Sequence, residues 1–316
     1  MLIVSTMKTC LTLALVLAAA FGFAQEKPGK NDRLISKDSN KDGKLSKEEL
    51  GEQFWQRAAG QDANGDGLLD AQEIAALQSK ARGKGTPQAR PGGANAAFTV
   101  REFKGSNGHT IRYSLFVPEK SETPLPLVLC LHGAGGNTTA ANVLAAPEMQ
   151  QKHACIVMAP ACDGKSTRWV ASTFRYSDAR PVMPELMEAL EAVITETKAD
   201  RTRLYITGQS MGGIGSWGII ASHADKFAAA VPVCGIWEPS DAPKMNGVPI
   251  WAFHGADDKT VPVSGSRDMI AALKKAEVKP EPKYTEFPGV GHGSWEPAYQ
   301  TAELWEWLFV QKKIKP

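Results

Sequence analysis

Beyond residue 97 the chain alternates between two kinds of segment, and that alternation restricts it to few folds. Short apolar, β-branched runs appear at "TIRYSLFV", "LPLVLCL", "ACIVMAP", "RLYITG", "AAAVPVC", "VPIWAFHG" and "PKYTEFPG", each bounded by glycine, proline or charge. Helix-length stretches lie between and after them, at about residues 184–197, 211–222, 264–276 and 297–312. Unbroken apolar runs suit strands buried on both faces, since a strand with one wet face would alternate. The expectation is an α/β domain over residues 98–316, a mostly parallel sheet with helices on both faces. Ligands of such sheets bind outside the carboxyl ends of the strands, so reactive side chains are sought there.

Ser210 follows the run "RLYITG" by two residues, and "MGGIGSWGIIAS" after it can begin a helix at once. Strand, sharp turn and helix together make a nucleophile elbow, in which G-x-S-x-G lifts a serine hydroxyl clear of the backbone. Gly208, Gly212 and Gly213 leave room for that turn. The helix start directs amide hydrogens toward the hydroxyl and favours negative charge developing there. A second turn, "LHGAGGN", closes the strand "LVLCL" and brings the amide of Ala134 forward. With the amide of Met211 it would form an oxyanion hole made of main chain alone.

Two further turns carry the remaining chemistry. Asp257 and Asp258 stand side by side in "FHGADDKTVP", and His292 stands in "FPGVGHGSW". Serine, acid and histidine in that order, each after a later strand, converge at one edge of a parallel sheet. His292 can take the Ser210 proton and return it to a leaving alcohol, while a carboxylate fixes its tautomer. The residues themselves do not choose between the two aspartates.

Residues 97–313 resemble the secreted α/β-hydrolase esterases, a group that includes feruloyl esterases, polyhydroxybutyrate depolymerases and prolyl-oligopeptidase-like enzymes. The group's H-G-x-x-D-x-x-V-P pattern is met by His254, Gly255, Asp258, Val261 and Pro262, and its G-V-G-H-x-S-W by residues 289–295. The resemblance implies an α/β-hydrolase fold, selects Asp258 over Asp257 and makes Ser210, Asp258 and His292 a triad for ester hydrolysis. His132 and His254 then belong to turn motifs, and His109, His153 and His223 to surface or packing.

The segment between "VPVCG" and "VPIWAF" is too short for a cap domain, so the site is expected to be open. An open site suits esters on bulky or polymeric carriers, such as feruloylated or acetylated plant polysaccharide. Trp169, Trp237 and Trp295 fall in loops expected at the rim and are candidate substrate contacts together with Gln209, whereas Trp217 is expected in the core. Two rival readings remain: a prolyl-oligopeptidase-like peptidase, and a calcium-dependent binding protein whose hydrolase domain is inactive.

Residues 38–49, "DSNKDGKLSKEE", and 62–73, "DANGDGLLDAQE", repeat one pattern, with oxygen side chains at positions 1, 3 and 5, glycine at 6, leucine at 8 and glutamate at 12. A hard cation such as calcium takes about six to eight oxygens at once, and the glycine supplies the tight turn. The loops resemble a pair of EF-hands within a small helical module at 25–78. The first would ligate Ca2+ through Asp38, Asn40, Asp42, the Lys44 carbonyl and Glu49, the second through Asp62, Asn64, Asp66, the Leu68 carbonyl and Glu73. Residues 79–97, basic and rich in glycine, proline and alanine, read as a flexible linker.

Residues 1–24 read as an export signal: Lys8, then the apolar run "LTLALVLAAAFGFA", which is too short to span a bilayer. Cleavage is expected after Ala24, or after Ala20, placing the mature chain outside the cytoplasm, secreted or periplasmic; Met7 fits the start of such a signal better than Met1. Cys130 and Cys155 lie in expected strands as buried thiols; Cys162 and Cys234 lie in loops, which leaves their pairing open. With 36 Lys and Arg against 34 Asp and Glu, the net charge of +2 gives no phosphate-tracking surface and argues against a nucleic-acid partner.

Overall fold

The computed structural model describes residues 38–40, 42–51, 55, 58, 62, 66–70, 73–74, 98–119, 123–136, 138–172 and 178–313. The export segment, the linker and Asn64 lie outside these residues. The chain divides into two compact units, residues 1–85 and 86–316, each taken by itself.

The larger unit is built on eight strands: β1 (Thr99–Lys104), β2 (Thr110–Phe116), β3 (Leu127–Leu131), β4 (Ile156–Ala161), β5 (Leu204–Gln209), β6 (Ala229–Val233), β7 (Trp251–Gly255) and β8 (Lys283–Phe287). They form one sheet in the order β8-β7-β6-β5-β3-β4-β2-β1. Neighbours run parallel except that β2 is antiparallel to β4 and β1 to β2. Every residue of β3, β5, β6 and β7 is buried, which is why their sequences are unbroken apolar runs. β1 leaves no such run, for the opposite reason. It is a mostly solvated edge strand, "TVREFK", whose apolar residues are too few to make a run.

Alternate residues of the central strands feed two apolar layers. Leu127, Leu129 and Ile206 pack with Trp217, Leu186 and Phe227 on one face; Val128, Cys130 and Tyr205 pack with Phe253, Tyr299 and Leu304 on the other. The period of two along a strand produces this split. Each large side chain taken fully out of water contributes roughly 1.5–3 kcal/mol.

The helices covering these faces are α1 (Thr139–Ala145), α2 (Pro147–Lys152), α3 (Met183–Thr197), α4 (Met211–Ser222), α5 (Ser264–Lys275), α6 (Trp295–Gln300) and α7 (Ala302–Val310). Helix α4 is buried from Met211 to Ala221, as a helix apolar on every side must be. Where one helix was expected over 297–312 there are two, because Thr301 adopts extended backbone (φ −64°, ψ 114°) between α6 and α7. The short helices α1 and α2 are additional to the four helix-length stretches of the sequence.

The smaller unit centres on a two-residue pairing of Leu45–Ser46 with Leu68–Leu69, antiparallel, with Leu45 opposite Leu69. Leu45, Leu50, Ala58 and Leu69 form its small core. Ser46 caps the helix Lys47–Leu50 and Glu49 reaches back to the Ser46 amide, a reciprocal capping box.

Candidate active site

Ser210 sits between the end of β5 and the start of α4 with φ +56° and ψ −118°. A positive φ on a side-chain-bearing residue costs on the order of 1–3 kcal/mol and persists only where the surroundings enforce it. Here the enforcement is close packing. The Ser210 amide donates to Val233 O at 3.0 Å, and the Ile214 amide donates to Ser210 O at 2.9 Å. A Cβ on Gly212 would stand 2.0 Å from Leu131 O, and one on Gly208 would stand 2.4 Å from Gly212 O, so glycine is required at both places. The elbow is thus clamped against β3 and β6, and the hydroxyl is pushed to the carboxyl edge of the sheet.

His292, in the loop after β8, faces that hydroxyl. Its Nε2 lies 2.9 Å from Ser210 Oγ and its Nδ1 lies 2.7 Å from Asp258 Oδ2. The Asp258 side chain has no solvent exposure, and its Oδ1 accepts the amides of Thr260 at 2.8 Å and Val261 at 3.0 Å. An ionised carboxylate can only accept, so Nδ1 carries the hydrogen and Nε2 is left to accept from the serine. Asp257 is exposed, and its amide donates to Val290 O at 2.9 Å, tying the two loops together. The structure therefore brings Ser210, His292 and Asp258 together and leaves the Asp257 side chain in solvent. Oxygen, imidazole and carboxylate in this order are the arrangement for moving a proton off a hydroxyl as that oxygen attacks an electrophile.

The turn after β3 runs alongside the elbow, since a Cβ on Gly133 would be 3.4 Å from that of Ser210. Ala134 follows it at the surface, and Met211, buried at the first position of α4, has an amide with no acceptor inside its own helix. His132 fixes this turn. Its Nδ1 donates to Gly133 O at 2.7 Å and its Nε2 accepts the Cys162 amide at 3.1 Å. Burial pushes the His132 pKa down, which keeps the ring neutral and able to do both.

The aromatic rim differs from expectation. Trp169 is 0% exposed; its Nε1 donates to His132 O at 2.9 Å, and its side chain closes over Gly215. It supports the turn from below and cannot stack on a substrate. Trp237 covers Gly218, about two helical turns from Ser210, with Nε1 on Asp241 Oδ2 at 3.0 Å. Gln209, the last residue of β5, is 2% exposed and forms no part of an open wall. Trp295 borders the reacting groups, half-buried and edge-on to His292 at 5.4 Å between ring centroids. Trp217 is fully buried, as expected of the elbow helix. Rim and interior tryptophans are alike in sequence, because loop position does not say which way an indole turns.

Cys130, Cys155, Cys162 and Cys234 are all buried free thiols. Cys234 has φ +40° and its Sγ accepts the Ser210 amide at 3.2 Å, so it belongs to the elbow's support. Burial pushes its thiol up to about 12.

In the smaller unit the acidic side chains turn into their own loops. Asp38 Oδ2 accepts the Gly43 amide at 3.0 Å and Asp42 Oδ1 that of Lys44 at 2.8 Å. Glu49 Oε1 accepts the amides of Ser39 and Asn40, and hydrogen bonds from Ser46 and Ser39 hold its carboxyl down at about 2. In the second loop Asp62 accepts the amides of Asp66 and Gly67, Asp66 that of Leu68, and Glu73 that of Asp70. Asp38 Oδ1 is buried without a hydrogen-bond partner among the described residues. Oxygen donors alone, one of them orphaned, fit a hard cation.

A family model for the EF hand matches residues 38–55. Over the larger unit, a model described as the dienelactone hydrolase family matches residues 112–303, which include Ser210, Asp258 and His292. NocK of Nocardia uniformis subsp. tsuyamanensis, which carries an esterase name, is 29% identical over 196 residues, 57% of this chain and 54% of that protein. A crystallised thermostable esterase is similar at a TM-score of 0.63 and 36% identity, over 68% of this chain and 63% of that one. A ferulic acid esterase, at 16% identity and a TM-score of 0.53, covers 67% of this chain and 99% of its own and shares the fold alone. The chain thus spans about half the length of the curated relative. The group resemblance drawn from the motifs holds at the level of the α/β-hydrolase fold, while the family that the matching model names is another one: the chain belongs to the dienelactone hydrolase family.

Proposed function

We propose that the protein is a serine carboxylic-ester hydrolase working through an acyl-enzyme. The observation that carries this reading is the unbroken pair of hydrogen bonds from Ser210 Oγ to His292 Nε2, 2.9 Å, and from His292 Nδ1 to Asp258 Oδ2, 2.7 Å. Ser210 Oγ attacks the ester carbonyl while His292 Nε2 takes its proton. The amides of Ala134 and Met211 receive the developing oxyanion, a contribution of roughly 10²–10³ in rate for each such donor. As the carbonyl re-forms, the alkoxide leaves with the proton from His292. Water then attacks the acyl-serine, giving one proton to His292 and releasing the acid, and the proton returns to Ser210. Asp258 remains ionised and stabilises the imidazolium at each stage.

Ser210 and His292 are both partly exposed, and the segment between β6 and β7 contains a 3₁₀ turn (Pro239–Met245) and no inserted domain. This openness favours esters carried on bulky or polymeric groups, with Trp295 as a flat wall for an aromatic acyl group or a sugar face. Feruloylated and acetylated plant polysaccharides are the substrates we put forward, reached after export directed by residues 1–24. Among the described residues no helix is long and apolar enough to cross a membrane. The acidic loops would hold Ca2+ through Asp38, Asn40, Asp42, Glu49 and the second set, supplying stiffness to the smaller unit.

The test is hydrolysis of p-nitrophenyl acetate, then of a panel of acetyl, butyryl and feruloyl esters and acetylated xylan. Ser210→Ala is expected to lose roughly 10⁴-fold or more in kcat/KM. Turnover by that variant at the wild-type rate would end the proposal.

A further inference from the structure

Asp258 meets a second imidazole that the reaction above leaves unused. His254, the next-to-last residue of β7, is 0% exposed, and its Nε2 lies 3.2 Å from Asp258 Oδ2, the same oxygen that receives His292 Nδ1. Val261 O is also 3.0 Å from this Nε2. Two acceptors facing one ring nitrogen require it to carry the hydrogen. Nδ1 on the far side is 2.7 Å from Ser266 Oγ, in the first turn of α5, and Ser266 Oγ is itself 3.2 Å from Gly235 O. Burial pushes the His254 pKa down, which favours the neutral ring; its Nδ1 then takes the single Ser266 hydroxyl hydrogen over the shorter contact, 2.7 Å, in competition with Gly235 O at 3.2 Å. The result is a row of five groups: Ser266, His254, Asp258, His292 and Ser210.

We propose that His254, oriented by Ser266, is a positioning residue that holds Asp258 Oδ2 in line with His292 throughout turnover. The inference rests on the serine mechanism proposed above. The Asp258 side chain has no access to water, and the amides of Thr260 and Val261 hold Oδ1. Without His254, Oδ2 would depend among the described contacts on His292 alone, a ring 24% exposed at its side chain and carried on a loop. Whenever that ring moved, a buried anionic oxygen would be left without a donor, which is costly, or would rotate to find one. His254 prevents both from the rigid side, since β7 is buried throughout and a Cβ on Gly255 would stand 2.3 Å from Val290 O and Gly291 O. The other titratable groups nearby do not compete for Oδ2: the Cys234 thiol is kept protonated by burial, and Glu286 on β8 is paired with Arg267.

The experiment compares kcat and KM for p-nitrophenyl acetate in His254→Leu, His254→Gln and Ser266→Ala, each checked for folding by circular dichroism. Leucine fills the site without a donor, whereas glutamine keeps an N–H. Misplacing a reacting group by about 1 Å can cost about 10²-fold, so His254→Leu should lose some 30- to 100-fold in kcat with KM within about twofold. His254→Gln should recover to within about fivefold of wild type, and Ser266→Ala should lose about three- to tenfold in kcat. Equal impairment of the leucine and glutamine variants would show a packing role and overturn the proposal, as would an unchanged kcat in His254→Leu. If His254→Leu does not fold, wild-type kcat in Ser266→Ala overturns it instead. Failure of the serine mechanism would appear separately, as retained activity in Ser210→Ala with His254 intact.

Discussion

Two groups of carboxylates on this chain handle negative charge in opposite ways. Asp258 is fully enclosed, and each oxygen meets donors fixed by the fold: two amides on Oδ1 and two ring nitrogens at Oδ2. The acidic loops before it crowd several carboxylates around backbone amides, and one oxygen, Asp38 Oδ1, finds no donor among the described residues. The first group is complete before any ligand arrives and can preorganise a reaction. In our reading the second is complete only with a dication. The contrast shows that carboxylates close in sequence do not announce their role; the donors that meet them do.

The sharpest way to break this contrast is to exchange charge for amide at both aspartates of the pair. Asp258→Asn should lower kcat roughly 10³- to 10⁴-fold, because an amide leaves the wrong histidine tautomer in place. Asp257→Asn should leave kcat within about twofold, since its side chain is in solvent. Equal effects would mean that the enclosed carboxylate has no privilege. A second test separates support from rim. Trp169→Ala removes a fully buried indole and should cost about 3–5 kcal/mol of stability, whereas Trp295→Ala, at a half-buried site, should change KM for aromatic esters more than Tm. Thermal melts and kinetics of the same preparations would show which indole does which.

A smaller effect is expected from chelation. EDTA should leave kcat within about twofold while quickening proteolytic cleavage within residues 38–74, and Glu49→Gln should reproduce that without chelator. A parallel loss of esterase activity would join the two carboxylate groups into one system. The smallest effect concerns acid. Burial would raise Asp200, but Thr202 and Arg203 hold it down at about 2, and Arg267 holds Glu286 at about 2. Both are lowered in the folded protein, so their contribution is present at neutral pH and is lost as pH falls from about 4.5 toward 2. Tm should decline through that window, and Glu286→Gln should flatten part of the decline.

The parts of the fold legible in the sequence were those buried on both sides, such as β3, β5, β6 and β7, whose only solution is an unbroken apolar run. The edge strand β1 and the helices α1 and α2 were hidden because solvent-facing segments obey weaker composition rules. At the site, Ser210 and His292 stood out because a tight turn demands glycines around them, and those glycines are visible as letters. Nothing comparable marked His254, whose contact with Asp258 depends on how β7 and its following loop curl. Nor did anything mark Cys234 beneath the elbow, or the inward turn of Trp169.

In the proposed reaction the Ser210 oxygen becomes covalently acylated. A fluorophosphonate reacts irreversibly with such an oxygen, so the most direct measurement is intact mass after labelling, followed by peptide mapping. One equivalent of adduct is expected on the peptide containing Ser210, with esterase activity lost in the same proportion and no labelling of His292→Ala under the same conditions. Full activity in unlabelled protein, or an adduct on a different residue that tracks the loss of activity, would contradict it.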